Sequence, residues 1–244
     1  MTTSLRARIK AGRRRGTLAV KLFDILRLAA TRDGRSTLFT LAAHGDEVHQ
    51  TTSFTLEDRY PGLFDEARKL APGAGRILSF GCSTGEELSA LRRRFPQAEI
   101  IGAEINAHSR RIARRRIAAD SKAKVIPPRE VDGAFDLVFA LAVFQRQPHR
   151  ADEIGVQDLT YIYPFERFDS TLCSLVDRLR PGGLLFVVNA QYRVEDCSLA
   201  SNLERVPQVD LDLRPRFNRY GRRAKSLSSG IAFRLARHKT LSEI

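Results

Sequence analysis

From residue 76 onward the chain alternates between short apolar runs and longer segments whose apolar positions recur every three to four residues. The runs RILSF (76–80), AEIIGAE (98–104), AKVI (123–126), FDLVFALAVF (135–144) and LLFVVNA (184–190) read as strands. Between them, residues 84–96, 106–120 and 165–183 carry helical spacing, and Pro181-Gly182-Gly183 stops the last of these helices. Residues 58–73 read as a short helix with Pro61 in its first turn, Asp58 as its cap and Gly73 at its end. Upstream, Leu18, Leu22, Ile25, Leu26 and Ala29 share one face of an amphipathic helix. Residues 34–57 show no clear period, and residues 229–238 form a candidate closing strand, antiparallel to the rest.

Strands that alternate with helices predict an α/β fold, a doubly wound and mostly parallel sheet with helices on both faces. The unbroken apolar runs at 137–144 and 184–188 suit central strands buried on both sides. The length of 244 residues is enough for one full core with additions. We therefore expect a basic N-terminal helical extension over residues 1–57, followed by one domain over 58–244 that ends in a basic segment.

Charge sharpens that division. The net charge is +13, but residues 1–33 carry nine Lys/Arg against two acids, and residues 214–239 carry nine against none. The intervening stretch is nearly neutral, so the basic ends predict an anionic partner such as a membrane surface or RNA. Lys21, Asp24 and Arg27 interrupt the apolar run near the N-terminus, which fits neither a signal segment nor a membrane span. Three cysteines without CxxC spacing suggest a reducing compartment, hence a cytoplasmic location that extends to the membrane periphery, and give no metal site.

The chemistry concentrates at Gly81-Cys82-Ser83-Thr84-Gly85. Read as G-x-S-x-G, it spells a nucleophile elbow with Ser83 as nucleophile. That elbow normally follows several strands, whereas this turn follows the first clear one, and no acid ends LLFVVNA to complete a triad. A cofactor turn explains more. Gly81 permits the tight turn, Ser83 is small, Gly85 lets the next helix approach, and the exposed N–H groups suit a polar ligand. Glu104 ends the following strand nineteen residues after Gly85, where an acid can bond both ribose hydroxyls.

These motifs resemble those of class I S-adenosylmethionine-dependent methyltransferases over roughly residues 58 to 190. ILSFGCSTGEE is similar to their first motif, IIGAEIN to their ribose-binding motif, and FDLVFALAVF and LRPGGLLFVVN to their fourth and fifth strands. The loop GCSTGEE in particular is similar to that of chemotaxis-receptor glutamate methyltransferases. The Arg-Asn pair of those enzymes is replaced here by ALAVFQRQ, so the cofactor chemistry carries over and their substrate does not.

The resemblance implies a Rossmann-like methyltransferase fold and S-adenosyl-L-methionine as cofactor. It places Gly81, Cys82, Ser83 and Gly85 at the methionine end and Glu86 toward its ammonium. Glu104 holds the ribose, Ile105 packs on the adenine, and Ala140 and Leu141 sit beside the sulfonium. Residues 145–168 follow the fourth strand and form the expected substrate wall, with His149 as first candidate base and Tyr161 and Tyr163 next. The expected reaction is methyl transfer to oxygen or nitrogen of a small or lipid-like molecule. The alternatives are an RNA or protein methyltransferase, and an inactive cofactor-binding protein associated with RNA or membrane through its ends.

Overall fold

A computed structural model describes residues 29–50, 59–146, 155–207, 216–224 and 229–236. Five strands run parallel: β1 (Arg76–Phe80), β2 (Glu99–Ala103), β3 (Ala123–Ile126), β4 (Phe135–Leu141) and β5 (Leu179–Val188). Two short strands, β6 (Leu203–Arg205) and β9 (Ala232–Leu235), complete a seven-stranded sheet of order β3-β2-β1-β4-β5-β9-β6. β9 lies antiparallel to both β5 and β6, as the closing strand was expected to do. A separate hairpin joins β7 (Arg216–Phe217) to β8 (Arg223–Ala224).

The period-two rule explains why helices cover both faces. Leu78, Ile101, Val138 and Leu185 turn to one face and pack with Phe168, Leu172 and Leu175 of α5 (Phe165–Val176). Their chain neighbours Ile77, Ile100, Leu137 and Leu184 turn to the other. There they meet α2 (Pro61–Leu70), α3 (Glu86–Arg94) and α4 (Ala107–Arg116) through Phe64, Leu91 and Ala113. The mostly parallel, doubly wound sheet is therefore the fold that the sequence predicts. The link from β3 to β4 holds only a short 3₁₀ turn, Pro128–Glu130.

Three expectations need correction. The helix before Pro181 ends at Val176, and Leu179 already pairs with Phe135, so the Pro-Gly-Gly stretch belongs to β5 as an irregularity in its register. Gly182 there takes φ +79, which favours glycine. At the start of α2, Tyr60 holds the cap position without a side-chain bond, and Asp58 lies outside the described residues. The stretch without a clear period contains α1 (Arg32–His44), capped by Thr31, whose hydroxyl accepts from Gly34 N at 2.9 Å. In addition, α1 docks on α4 through Ser36 Oγ, 2.8 Å from Asn106 Oδ1.

The amphipathic face at Leu18–Leu26 lies outside the described residues. The basic segment near the C-terminus is in part structural: β9 lies within the sheet, and Arg234 Nη1 donates to the Gly182 carbonyl at 3.1 Å.

Candidate functional site

A cavity of about 450 Å³ opens at the carboxyl ends of β1, β2 and β4. Ligands in open α/β sheets bind at that position, where the strand order reverses between β1 and β4. Phe80, Gly81, Cys82 and Ser83 form its floor, Ile105 and Pro128 one side, and Leu141, Ala142 and Val143 the other. α5 contributes Ser170, Thr171 and Ser174, and the segments 46–50 and 59–64 close the top.

The floor depends on backbone that few residues adopt. Gly81, Ser83 and Gly85 have φ +76, +50 and +89. A Cβ on Gly81 would lie 2.4 Å from Val143 Cγ2, so only glycine lets this turn reach the end of β4. The helix that Gly85 admits is α4, where a Cβ would stand 3.1 Å from Ala113. Gly102, which the motif reading passed over, makes room for Cys82: a Cβ there would stand 2.7 Å from its Sγ.

Glu104 ties this turn to the end of β2. Its Oε2 accepts from Ser83 N at 2.9 Å and its Oε1 from Asn106 N at 2.7 Å. Burial raises its pKa, and the two backbone donors oppose that rise. Glu104 is buried next to the lining residues Ser83 and Ile105 and is not itself part of the lining, and each of its carboxylate oxygens retains a second lone pair.

Glu86 does not face the cavity. Its carboxylate accepts from Thr84 Oγ1 at 2.7 Å and pairs with Arg116 at 2.6 Å, on the α4 side. One helical position on, Glu87 does line the cavity. Its Oε1 is buried and has no hydrogen-bond partner. Burial holds its carboxyl up at about 8; Ser79 lies close enough to favour the ionised form but makes no hydrogen bond of ordinary geometry. A buried, unpartnered carboxylate oxygen beside a glycine turn suits an ammonium ligand.

At the end of β4 the expected pair shifts along the chain. Ala140 is fully buried in the core against α5, while Leu141 and the next two residues line the cavity. Strand alternation turns Ala140 away, and the turn at Ala142, with φ +58, brings the following backbone to the rim.

The three candidate bases fare differently. His149 lies outside the described residues. Tyr163 is fully buried, and burial raises its hydroxyl well above the phenol range. That hydroxyl shares a 2.6 Å hydrogen bond with His49 Nδ1, and Tyr192 OH donates to the Tyr163 carbonyl at 2.5 Å. Tyr163 therefore positions a cavity-lining histidine and does not itself meet a ligand. Tyr161, the remaining candidate, is 95% exposed and points to solvent.

His49 came from the stretch with no legible period, and only its residue type could have flagged it. Its Nε2 lies 3.1 Å from Thr171 Oγ1, so both ring nitrogens are engaged. Burial first, then Arg167 and Arg146, holds its pKa down at about 3. It stays neutral near pH 7, and its two ring nitrogens bond Tyr163 and Thr171 and not Ser83. Burial, with Glu104 beside it, raises the Cys82 thiol well up, so it is no thiolate nucleophile.

No group of three or more metal-ligating side chains converges among the described residues. The described helices include none long and apolar enough to cross a membrane.

Residues 53–226 match a family model described as a methyltransferase domain. A stretch of 112 residues is 28% identical to trans-aconitate 2-methyltransferase of Deinococcus radiodurans, covering 46% of this chain and 36% of that protein. A stretch of 64 residues is 39% identical to ribosomal RNA small subunit methyltransferase C of Stutzerimonas stutzeri, covering 26% of this chain and 19% of that protein. The chain thus spans about a third or less of the length of these relatives. Among solved structures, CalS10, an amino pentose methyltransferase of Micromonospora echinaspora, is 22% identical with a TM-score of 0.42, over 63% of this chain and 56% of that one.

Proposed function

The chain belongs to the class I S-adenosylmethionine-dependent methyltransferases, and from that premise we propose that it methylates an oxygen or nitrogen of a small molecule bound in the cavity above β1 and β4. The observation that carries this reading is Glu87, whose unpartnered carboxylate oxygen is buried beside the Gly81–Ser83 turn. The residues fit the cofactor. Glu87 would hold its ammonium, the Gly81 turn its methionine backbone, Glu104 its ribose diol and Ile105 its adenine face. When bound, S-adenosylmethionine supplies an electrophilic methyl group on a positively charged sulfur.

The work of the chain is alignment and exclusion of water. Leu141, Ala142 and Val143 shape the methyl-transfer end with apolar side chains, and fixing two reactants there contributes up to ~7–11 kcal/mol in favourable cases. His49, locked by Tyr163 and Thr171, forms a rigid neutral wall beside the acceptor. Two similar proteins are named for trans-aconitate, a small molecule, and a cavity of about 450 Å³ suits a cofactor with a small acceptor.

The test is incubation of the purified protein with methyl-labelled cofactor and a small-molecule cell extract. We expect cofactor-dependent label in the small-molecule fraction, abolished when S-adenosylhomocysteine is in excess. Label confined to RNA or lipid would overturn the acceptor class.

A further inference from the structure

A second cleft, of about 540 Å³, lies between α1 and α4 and shares no lining residue with the cavity above the sheet. Arg32, Arg35 and Ser36 line it from α1, and Ala107, His108 and Arg111 from α4. No acid is among these six residues. Asp33, the acid in the first turn of α1, is not part of the lining.

The three guanidiniums differ from most arginines of this molecule. Arg76, Arg92, Arg94, Arg116 and Arg167 each meet an acid. Among the described residues, none of Arg32, Arg35 and Arg111 has a carboxylate partner. Arg35 Nη1 donates to the Ala29 carbonyl at 3.0 Å, and Arg111 Nη2 lies 3.2 Å from His108 Nδ1. Each bond steadies its side chain and leaves the other N–H groups for a ligand. The two helices are also fixed against each other beforehand. Ser36 Oγ donates to Asn106 Oδ1 at 2.8 Å and accepts from His108 N at 3.2 Å. The like charges are therefore held together by the fold, and an anion placed between them relieves their repulsion.

We propose that this cleft binds a terminal phosphate group, at a site separate from the methyl-transfer cavity. A carboxylate offers two oxygens and one charge, enough for a single guanidinium fork. A phosphate monoester offers three acceptor oxygens and a charge of about −1.5 to −2 at pH 7, which suits three guanidiniums converging from two helices. Each planar guanidinium can meet phosphate oxygens through parallel N–H groups. The same group is carried by a free phosphate ester and by an anionic lipid headgroup, and the experiment separates these two sources.

The experiment titrates inorganic diphosphate into the full chain by calorimetry at fixed ionic strength, with and without S-adenosylhomocysteine. We expect saturable one-to-one binding that is the same in both conditions. Arg35→Gln and Arg111→Gln should each weaken it roughly tenfold or more, as loss of a charge-assisted bond implies. Arg115→Gln, which removes an exposed arginine of the same helix outside the cleft, should leave it unchanged. Vesicles containing phosphatidic acid are then compared with phosphatidylglycerol vesicles of equal charge. Preferential co-sedimentation with phosphatidic acid, lost in Arg111→Gln, supports the site with a lipid headgroup as the source. Diphosphate binding without that preference supports it with a free ester as the source. An equal loss in Arg115→Gln reduces the cleft to diffuse surface charge and overturns the site. Displacement of diphosphate by S-adenosylhomocysteine moves the anion to the other cavity and overturns it as well. So does the absence of saturable diphosphate binding, whether or not an RNA oligonucleotide binds in its place.

Discussion

Glu87→Gln should stabilise the ligand-free protein and weaken its hold on the cofactor. The folded site raises the Glu87 carboxyl from 4.5 to about 8 through burial. Between those values the folded protein keeps a proton that the unfolded chain has lost, so stability falls as pH rises. Integrating that linkage gives a penalty of roughly 1 kcal/mol at pH 5, about 3 at pH 7 and 4–5 at pH 9. Glutamine has the same shape and no charge, so the variant escapes a penalty that grows by about 4 kcal/mol between pH 5 and 9. Denaturant unfolding of both proteins at several pH values reads this difference directly. Calorimetry with S-adenosylhomocysteine should show the opposite effect, since the variant lacks the anion that meets the ammonium. Proton release from Glu87 on binding, present near pH 6.5, should vanish in the variant. Parallel stability curves for the two proteins, or equal affinity for the ligand, would refute the assignment.

Gly102→Ala should destabilise the fold by about 1–3 kcal/mol, because its Cβ would press on Cys82 Sγ and Leu88; thermal unfolding checks this. Ser83→Ala should keep methyl transfer, whereas Ser83→Val should lose it together with cofactor binding, because a β-branched residue is strained at φ +50. A serine-directed fluorophosphonate that labels Ser83 would reverse the reading of that turn.

The parallel sheet was legible because its strands are nearly continuous apolar runs, and alternation alone assigned Ile77 and Leu78 to opposite faces. Gly81, Ser83, Ile105 and Leu141 were legible as cavity residues because backbone turns at strand ends leave a compact signature. Glu86 and Glu87 were not separable by spelling. Which of the two turns inward depends on where α3 starts, and the left-handed cap at Gly85 decides that. Ala140 was misplaced by one step in a period of two. His49 was invisible because its role comes from contacts with Tyr163 and Thr171, more than a hundred residues away in the chain. Tyr163 looked like a loop residue near chemistry, yet tertiary packing encloses it.

The central claim is that this glycine turn and the acid after β2 hold an adenosyl amino acid. It is tested most directly by titrating S-adenosylhomocysteine into the protein and into Glu104→Ala, with NADH as the competing ligand. The account predicts saturable one-to-one binding to the parent, weakened about tenfold or more in the variant as charge-assisted bonds are lost, and no heat from NADH. Binding of NADH in the absence of any response to S-adenosylhomocysteine would contradict it.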